Sequence, residues 1–228
     1  MIDQIQSDWK KLFIEKNLYL SEEEKKSFNE NPDDFVHGNF CKDIFHDLYI
    51  SFRNSNLEQY VEYDMSFPYI FDIFLYSFKN HKKLNSFIDL GCGVGFLVAS
   101  SYKFGFNSIG VEKNLELLTL GKNVFKKHNI NTERLIKGNF LDSSFWENSY
   151  HSIDPTAPNL FLLYQPKKFM EEALWTVSSY LHKDSRIITG GDYFSEYNFE
   201  TINKELCKFN IEIENLTRSK YFVLKKSN

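Results

Sequence analysis

Three glycines stand at alternate positions in the segment FIDLGCGVGFL, directly after an apolar run that ends in an acid. The acid is Asp89, and the glycines are Gly91, Gly93 and Gly95. Glycines at such a high density allow the backbone to turn sharply and to approach a ligand closely. A second acid, Glu112, ends the next apolar segment, NSIGVE. Because a carboxylate accepts hydrogen bonds from hydroxyl groups, the pattern predicts a ligand-binding turn with an acid beside it.

The glycine spacing argues against two common phosphate sites. A dinucleotide fold uses G-x-G-x-x-G, and Phe96 stands where its third glycine belongs. The Lys-Ser or Lys-Thr pair of a P-loop is also absent. An oxidoreductase with a nicotinamide cofactor is therefore the weaker alternative on this type of fold.

The elements that position these residues alternate between short apolar strands and helices. Strands are predicted at SFIDLG, NSIGVEK, TERLIKGNF, APNLFLLYQ and SRIITGGDYF, and IEIENLT and KYFVLKK close the chain as a strand pair. Strands that alternate with helices form parallel units with right-handed crossovers. We therefore predict an α/β fold with a doubly wound, mostly parallel seven-stranded sheet. Its glycine loop lies at the carboxyl end of the first strand, where such sheets bind ligands.

Residues 1–85 have a helical pattern and are predicted to form an extension before a ligand-binding domain at residues 86–228. The segment SFPYIFDIFLYSF predicts a buried helix that begins at Ser66. We expect this N-terminal part to form a lid over the substrate. An earlier segment carries apolar residues near helical spacing, namely Phe35, Phe40, Ile44, Phe45 and Leu48.

Composition and charge narrow the class of protein. The 228 residues are 42% apolar and 25% charged, which suits one folded domain with additions. The net charge of −4 disfavours strong nonspecific binding to nucleic acid. Cys41, Cys92 and Cys207 have no metal-ligand spacing, so we predict no metal site and a reduced, cytoplasmic protein. Neither a signal peptide nor a membrane span is expected.

The spacing D-x-G-x-G-x-G, followed by an acid at the end of the second strand, resembles the class I S-adenosylmethionine (SAM)-dependent methyltransferases. The resemblance implies SAM as the cofactor, with Glu112 accepting hydrogen bonds from both ribose hydroxyls. In that family, a polar residue after the third strand faces the adenine amino group, and the next backbone unit faces the ring. The segment GNFLDSSFW matches with Asn139, Phe140 and Asp142. The loop residues that would line the cofactor are Asp89, Gly91, Gly93 and Gly95.

The segments FIDLGCGVG, GVEK, GNFLDSSFW and DMSF are similar to a narrower group, the non-SET histone-lysine methyltransferases of the disruptor-of-telomeric-silencing type. This resemblance implies that Asp64 and Ser66 contact the methionine end of SAM. The group's Asn-Asn pair after the fourth strand is replaced here by Tyr164 and Gln165. The chain also has no long basic tail. The resemblance therefore predicts the cofactor-binding residues of this chain, and it does not predict a histone as the substrate.

The predicted reaction is transfer of a methyl group from the SAM sulfonium to an amine, with a protein lysine as the first choice of acceptor. The site must align the acceptor, exclude water and lower the pKa of the amine by desolvation. Aromatic walls with an amide oxygen suit an amine, so Tyr63, Tyr164 and Gln165 are the candidate catalytic residues. A small metabolite or RNA as the acceptor, and a catalytically silent SAM-binding interaction module, stay open as alternatives.

Overall fold

The structure is a computed structural model, and it describes the chain in several ranges. These are residues 26, 30, 42–55, 57, 84, 86–103, 105–147, 153–154, 157–163, 167–189, 199–216 and 222–227.

The described elements alternate between strands and helices from residue 86 onward, as the sequence predicts. In chain order they are α1 (Lys42–Arg53), β1 (Ser86–Leu90), α2 (Phe96–Lys103), β2 (Ser108–Glu112), α3 (Leu115–Lys127), a 3₁₀ turn (Thr132–Arg134), β3 (Leu135–Lys137), α4 (Ser143–Glu147), β4 (Asn159–Leu163), α5 (Lys167–Tyr180), β5 (Arg186–Thr189), α6 (Phe199–Cys207), β6 (Ile211–Leu216) and β7 (Phe222–Lys226).

The strands form one sheet in the order β3-β2-β1-β4-β5-β7-β6. Strands β1 to β5 pair in parallel, and β7 runs antiparallel to both β5 and β6. The predicted seven-stranded, mostly parallel sheet is confirmed. Strand β1 pairs with β2 on one side and with β4 on the other, so the strand order reverses direction at β1. An open sheet of this kind forms its ligand crevice at the carboxyl ends of the strands beside that point.

Both faces of the sheet are covered by helices, which explains why its central strands are continuously apolar. Successive residues of a strand point to opposite faces. In β1, Phe87 joins a core cluster with α1, α2 and α3, while Ile88 joins a second cluster with α4, α5 and α6. All five residues of β1, β2 and β4 are buried. The glycine loop therefore begins from a strand that is fixed on both sides.

Helix α1 belongs to the first of these clusters, although it precedes the sheet in the chain. Its residues Ile44 and Leu48 are buried there with side chains of α2 and α3. The carboxylate of Asp47 accepts a hydrogen bond from Lys127 Nζ at 2.7 Å and lies 2.6 Å from His128 Nε2, at the end of α3. Residues 42–53 thus share a core with the sheet. The domain boundary at residue 85 and the lid stay predictions.

None of the described helices is both long enough and apolar enough to cross a membrane.

Candidate functional site at the glycine loop

The loop after β1 turns back over the neighbouring strand β2. Gly91, Gly93 and Gly95 have φ angles of 88°, 57° and 87°, in the left-handed region that favours glycine. The carbonyl of Val111, in β2, accepts hydrogen bonds from the backbone N–H groups of Gly91 at 2.8 Å and Cys92 at 3.1 Å. Gly95 N–H donates to the Cys92 carbonyl at 2.9 Å. The loop is therefore a closed turn that leads directly into α2.

Two of the glycines have different neighbours. A Cβ added at Gly93 would meet no described atom within 4 Å, so this position borders open space at the mouth of the crevice. A Cβ added at Gly95 would lie 2.8 Å from Leu135 Cδ2 and 3.1 Å from Phe125 Cζ. Gly95 therefore allows α2, α3 and β3 to pack closely, whereas Gly93 leaves room for a ligand.

The carboxylate of Glu112 joins two loops at the end of β2. Its Oε2 accepts a hydrogen bond from Gly93 N at 3.0 Å, and its Oε1 accepts one from Asn114 N at 2.8 Å. The residue is 9% exposed. Because a carboxylate offers about four lone-pair sites, each oxygen keeps capacity for a further donor. The carboxylate therefore has the capacity to accept hydrogen bonds from two hydroxyl groups of a ligand while it keeps its existing ones.

Asp89 lies one residue before the end of β1 and is also buried. Burial and, as the second cause, the negative charge of Glu112 together raise the pKa of its carboxyl to about 7. Two carboxyl groups are thus held near each other in a desolvated setting. Such a site favours a ligand that carries positive charge, hydroxyl donors or both.

The loop after β3 places Asn139 at the surface and Phe140 in the core. The Phe140 carbonyl accepts a hydrogen bond from Trp146 Nε1 at 2.7 Å, which fixes this backbone unit. The side chain of Asp142 accepts a hydrogen bond from Ser144 N at 3.0 Å and so caps α4. Both polar candidates have exposed side chains, and each accepts one backbone hydrogen bond: Asp142 from Ser144 N in the helix cap, and Asn139 Oδ1 from Leu141 N at 3.3 Å.

Cys92 lies inside the loop but packs as a small apolar residue. A Cβ added at Gly110 in β2 would lie 2.5 Å from its sulfur, so the thiol sits on the bare backbone of that strand. Burial, followed by the charges of Asp89 and Glu112, raises the pKa of the Cys92 thiol well above its ordinary value. A thiolate nucleophile is therefore disfavoured here.

The structure brings the cofactor candidates of β1 and β2 together, and β3 adds a loop beside them. Gly93 and Glu112 are in direct contact, and the Gly138 N–H donates to the Glu112 carbonyl at 3.0 Å. Five other predicted site residues lie outside the described residues and stay predictions. They are the cofactor candidates Asp64 and Ser66 and the catalytic candidates Tyr63, Tyr164 and Gln165.

Sequence reasoning missed Asn114. Its side chain caps α3 by accepting hydrogen bonds from Glu116 N at 2.9 Å and Leu117 N at 3.4 Å, while its own N–H reaches Glu112. An Asn immediately before an apolar helical run is a capping signal that could have located it. Within the described ranges, no group of three or more His, Cys, Asp or Glu side chains is placed to hold a metal ion.

The fold is similar to those of solved class I SAM-dependent methyltransferases. SAH-bound methyltransferase PaMTH1 of Podospora anserina aligns with a TM-score of 0.58 at 11% identity, over 92% of this chain and 98% of that chain. A SAM-dependent methyltransferase of Clostridium acetobutylicum ATCC 824 aligns at 0.52 and 13% identity, over 82% of this chain and 100% of that chain.

A ribosomal protein L11 methylase of Lactobacillus delbrueckii subsp. bulgaricus also aligns, with a TM-score of 0.51 at 16% identity, over 71% of this chain and 80% of that chain. No protein-family model and no curated protein matches the sequence. At these identities the likeness concerns the fold, and it confirms the predicted Rossmann-like methyltransferase architecture.

Proposed function

We propose that the protein is a SAM-dependent methyltransferase whose cofactor binds against the glycine loop and Glu112. The observation that carries this proposal is the contact between Glu112 and Gly93. A buried carboxylate with spare lone pairs lies beside a left-handed glycine that borders open space. This arrangement lies beside β1, where the strand order of the sheet reverses direction. Solved SAM-dependent methyltransferases have a similar fold.

The chemistry of the described residues fits the parts of SAM. The two ribose hydroxyls are donors that suit the two oxygens of Glu112. The sulfonium and the amino group are cationic, which suits a site with the carboxyl groups of Asp89 and Glu112. Asn139 offers an exposed amide at the end of β3 for the adenine amino group. The bare backbone of Gly93 allows close approach to the methionine part.

The protein's share of the reaction is alignment and exclusion of water. Bound SAM supplies a methyl group that is already activated by the positive sulfur. Residues around the acceptor must hold its lone pair in line with the methyl carbon and keep the site dry. An amine acceptor must also be uncharged, which a desolvated channel favours by lowering its pKa.

The acceptor in this proposal is an amine, with a protein lysine as the first choice. The support is the resemblance of the cofactor segments to the non-SET histone-lysine methyltransferases. Tyr164 and Gln165 directly follow β4, whose last residue, Leu163, pairs with Leu90 beside the glycine loop. Tyr63 is the third candidate for the acceptor channel. Asp64 and Ser66 are the candidates for the methionine end of the cofactor.

Binding and transfer assays test the proposal in two steps. Calorimetry should show that the protein binds SAM and not NADH, and the absence of SAM binding would contradict the proposal as a whole. Incubation with methyl-labelled SAM and fractionated cell extract should then place label in protein. Label found only in RNA or in small metabolites would show that the acceptor is not a protein. SAM binding without any labelled fraction would favour the catalytically silent interaction module.

A further inference from the structure

Glu112 touches each of the three loops that surround the crevice on its side of the sheet. Its carboxylate accepts hydrogen bonds from Gly93 N, after β1, and from Asn114 N, after β2. Its backbone carbonyl accepts a hydrogen bond from Gly138 N at 3.0 Å, after β3. One residue at the end of β2 therefore connects all three loops.

We propose that Glu112 is a positioning residue that braces the glycine loop against the turn between β2 and α3 before any ligand binds. The inference deepens the proposed function and rests on it only for the ribose contact. Each oxygen of the Glu112 carboxylate accepts a hydrogen bond from a backbone N–H of the protein itself, so these two contacts require no ligand hydroxyl.

The chemistry of the glycine loop explains why a brace is needed. Glycine loses more conformational freedom on folding than other residues, and this loop holds three glycines at positive φ. No side chain at Gly93 packs against the protein to fix the peptide. The hydrogen bond from its N–H to a buried, charged acceptor supplies a fixed point, and bonds of this kind are stronger than neutral ones.

A substitution of Glu112 by glutamine separates the brace from the ribose contact. Glutamine replaces one accepting oxygen with an NH₂ group, which donates and cannot accept. One of the two backbone N–H groups would then face another donor. A ribose hydroxyl both donates and accepts, so it can reorient to meet the amide. Glu112→Gln therefore disturbs the ligand-free loop more directly than it disturbs the contact to a hydroxyl.

Hydrogen exchange in the ligand-free protein, followed residue by residue by NMR, tests the brace. In the wild-type protein the amides of Gly93 and Asn114 should be protected. In Glu112→Gln at least one of them should exchange about tenfold faster or more, the loss expected for a hydrogen bond to a charged group. Glu116→Gln is the matched control, because it removes the same charge from the exposed first turn of α3 and should leave both amides protected.

The outcomes distinguish the brace from the proposed function. Free exchange of both amides in the ligand-free wild type, with protection gained only on adding SAM, would overturn the brace and leave the methyltransferase proposal standing. Unchanged protection in Glu112→Gln would also overturn it. If the amides are protected as expected but the wild-type protein binds no SAM, the positioning role of Glu112 stands and the proposal of SAM as the cofactor is wrong. If the glutamine variant does not fold, the wild-type measurement decides alone.

Discussion

At the scale of single residues, the spacing of glycines and acids predicted the glycine loop and the two acids beside it, Asp89 and Glu112. These residue types can be read from a sequence because glycine indicates an unusual backbone angle and an acid indicates a charge. The spacing could not show that Gly93 borders open space and Gly95 faces the core, since that difference arises from packing against Leu135 and Phe125. It could not show the contact between Glu112 and Asn114 either. Contacts of this kind depend on distances in the folded chain.

Gly93 and Gly95 give a prediction in which two identical substitutions have different consequences. Gly93→Ala should destabilise the ligand-free protein by about 1–2 kcal/mol, the strain of a non-glycine residue in the left-handed region. Gly95→Ala should cost more, because its Cβ would also press on Leu135 in the core. SAM affinity should fall relatively more in Gly93→Ala, whose methyl group enters the ligand space. Urea unfolding and calorimetry measure the two effects, and equal stability losses would contradict this account.

The buried carboxyl of Asp89 predicts a specific pH dependence. Its pKa is raised from 3.8 to about 7 in the folded protein. The free energy of binding this proton is therefore about 4 kcal/mol more favourable in the folded than in the unfolded chain. The folded state therefore holds this proton more tightly than the unfolded chain does. Its contribution is stabilising at low pH and is lost progressively as the pH rises from about 4 to about 7.

Asp89→Asn isolates that contribution, because asparagine has no proton to lose. The free energy of unfolding of the variant, relative to that of wild type, should rise from pH 5 to pH 7.5. Comparing the two proteins cancels other titrating groups such as Asp47, whose pKa is lowered by Lys127 and His128. Urea unfolding at several pH values provides the measurement. A difference that stays constant with pH would show that Asp89 titrates as an ordinary exposed acid.

At the scale of elements, the central strands were predicted because each is a short, continuous apolar run, and the longer helices because their apolar residues recur at helical spacing. The residues of the 3₁₀ turn Thr132–Arg134 were wrongly assigned to the predicted strand TERLIKGNF, of which Leu135–Lys137 forms β3. Helix α4 (Ser143–Glu147) was missed, since five residues are too few to show a helical period. The local signal for α4 was the capping acid Asp142 before Ser143. The helical spacing of Ile44 and Leu48 predicted a helix, and both residues are buried, but the spacing could not indicate which surface α1 packs on.

Helix α1 gives a prediction about where the folded unit ends. Leu48 is fully buried in the cluster that α1 shares with α2 and α3, so Leu48→Ala should destabilise the whole protein by about 2–5 kcal/mol. Ile50→Ala, on the same helix but 41% exposed, is the control and should have a small effect. Urea unfolding should show one cooperative transition in each case. A separate early transition in Leu48→Ala would indicate that α1 is a detachable part.

At the scale of the whole molecule, alternation of strands and helices predicted the class of sheet but left part of its strand order open. The closing pair IEIENLT and KYFVLKK was predicted as neighbouring strands. Either of them could have lain against β5. In the structure β7 occupies that place, with Ile187 opposite Leu224 and Ile188 opposite Val223. All four of these residues are buried. The pairing of β7 with β5 therefore depends on contacts between the apolar side chains of both strands, and the sequence of one strand alone does not show it.

The acceptor side of the molecule gives the last prediction, which concerns the transfer reaction itself. Tyr164 directly follows β4 and is proposed to align an amine, so Tyr164→Ala should lower the rate of methyl transfer far more than it lowers SAM affinity. Because only the neutral amine attacks, the wild-type rate should rise with pH toward the pKa of the bound amine. Trp175→Ala removes an exposed aromatic side chain from α5, outside the predicted lid, and should leave the rate unchanged. Steady-state rates with labelled SAM, beside calorimetric SAM affinities, separate the two effects. If Tyr164→Ala weakens SAM binding as much as it slows transfer, Tyr164 belongs to the cofactor side of the site and its role toward an amine is wrong.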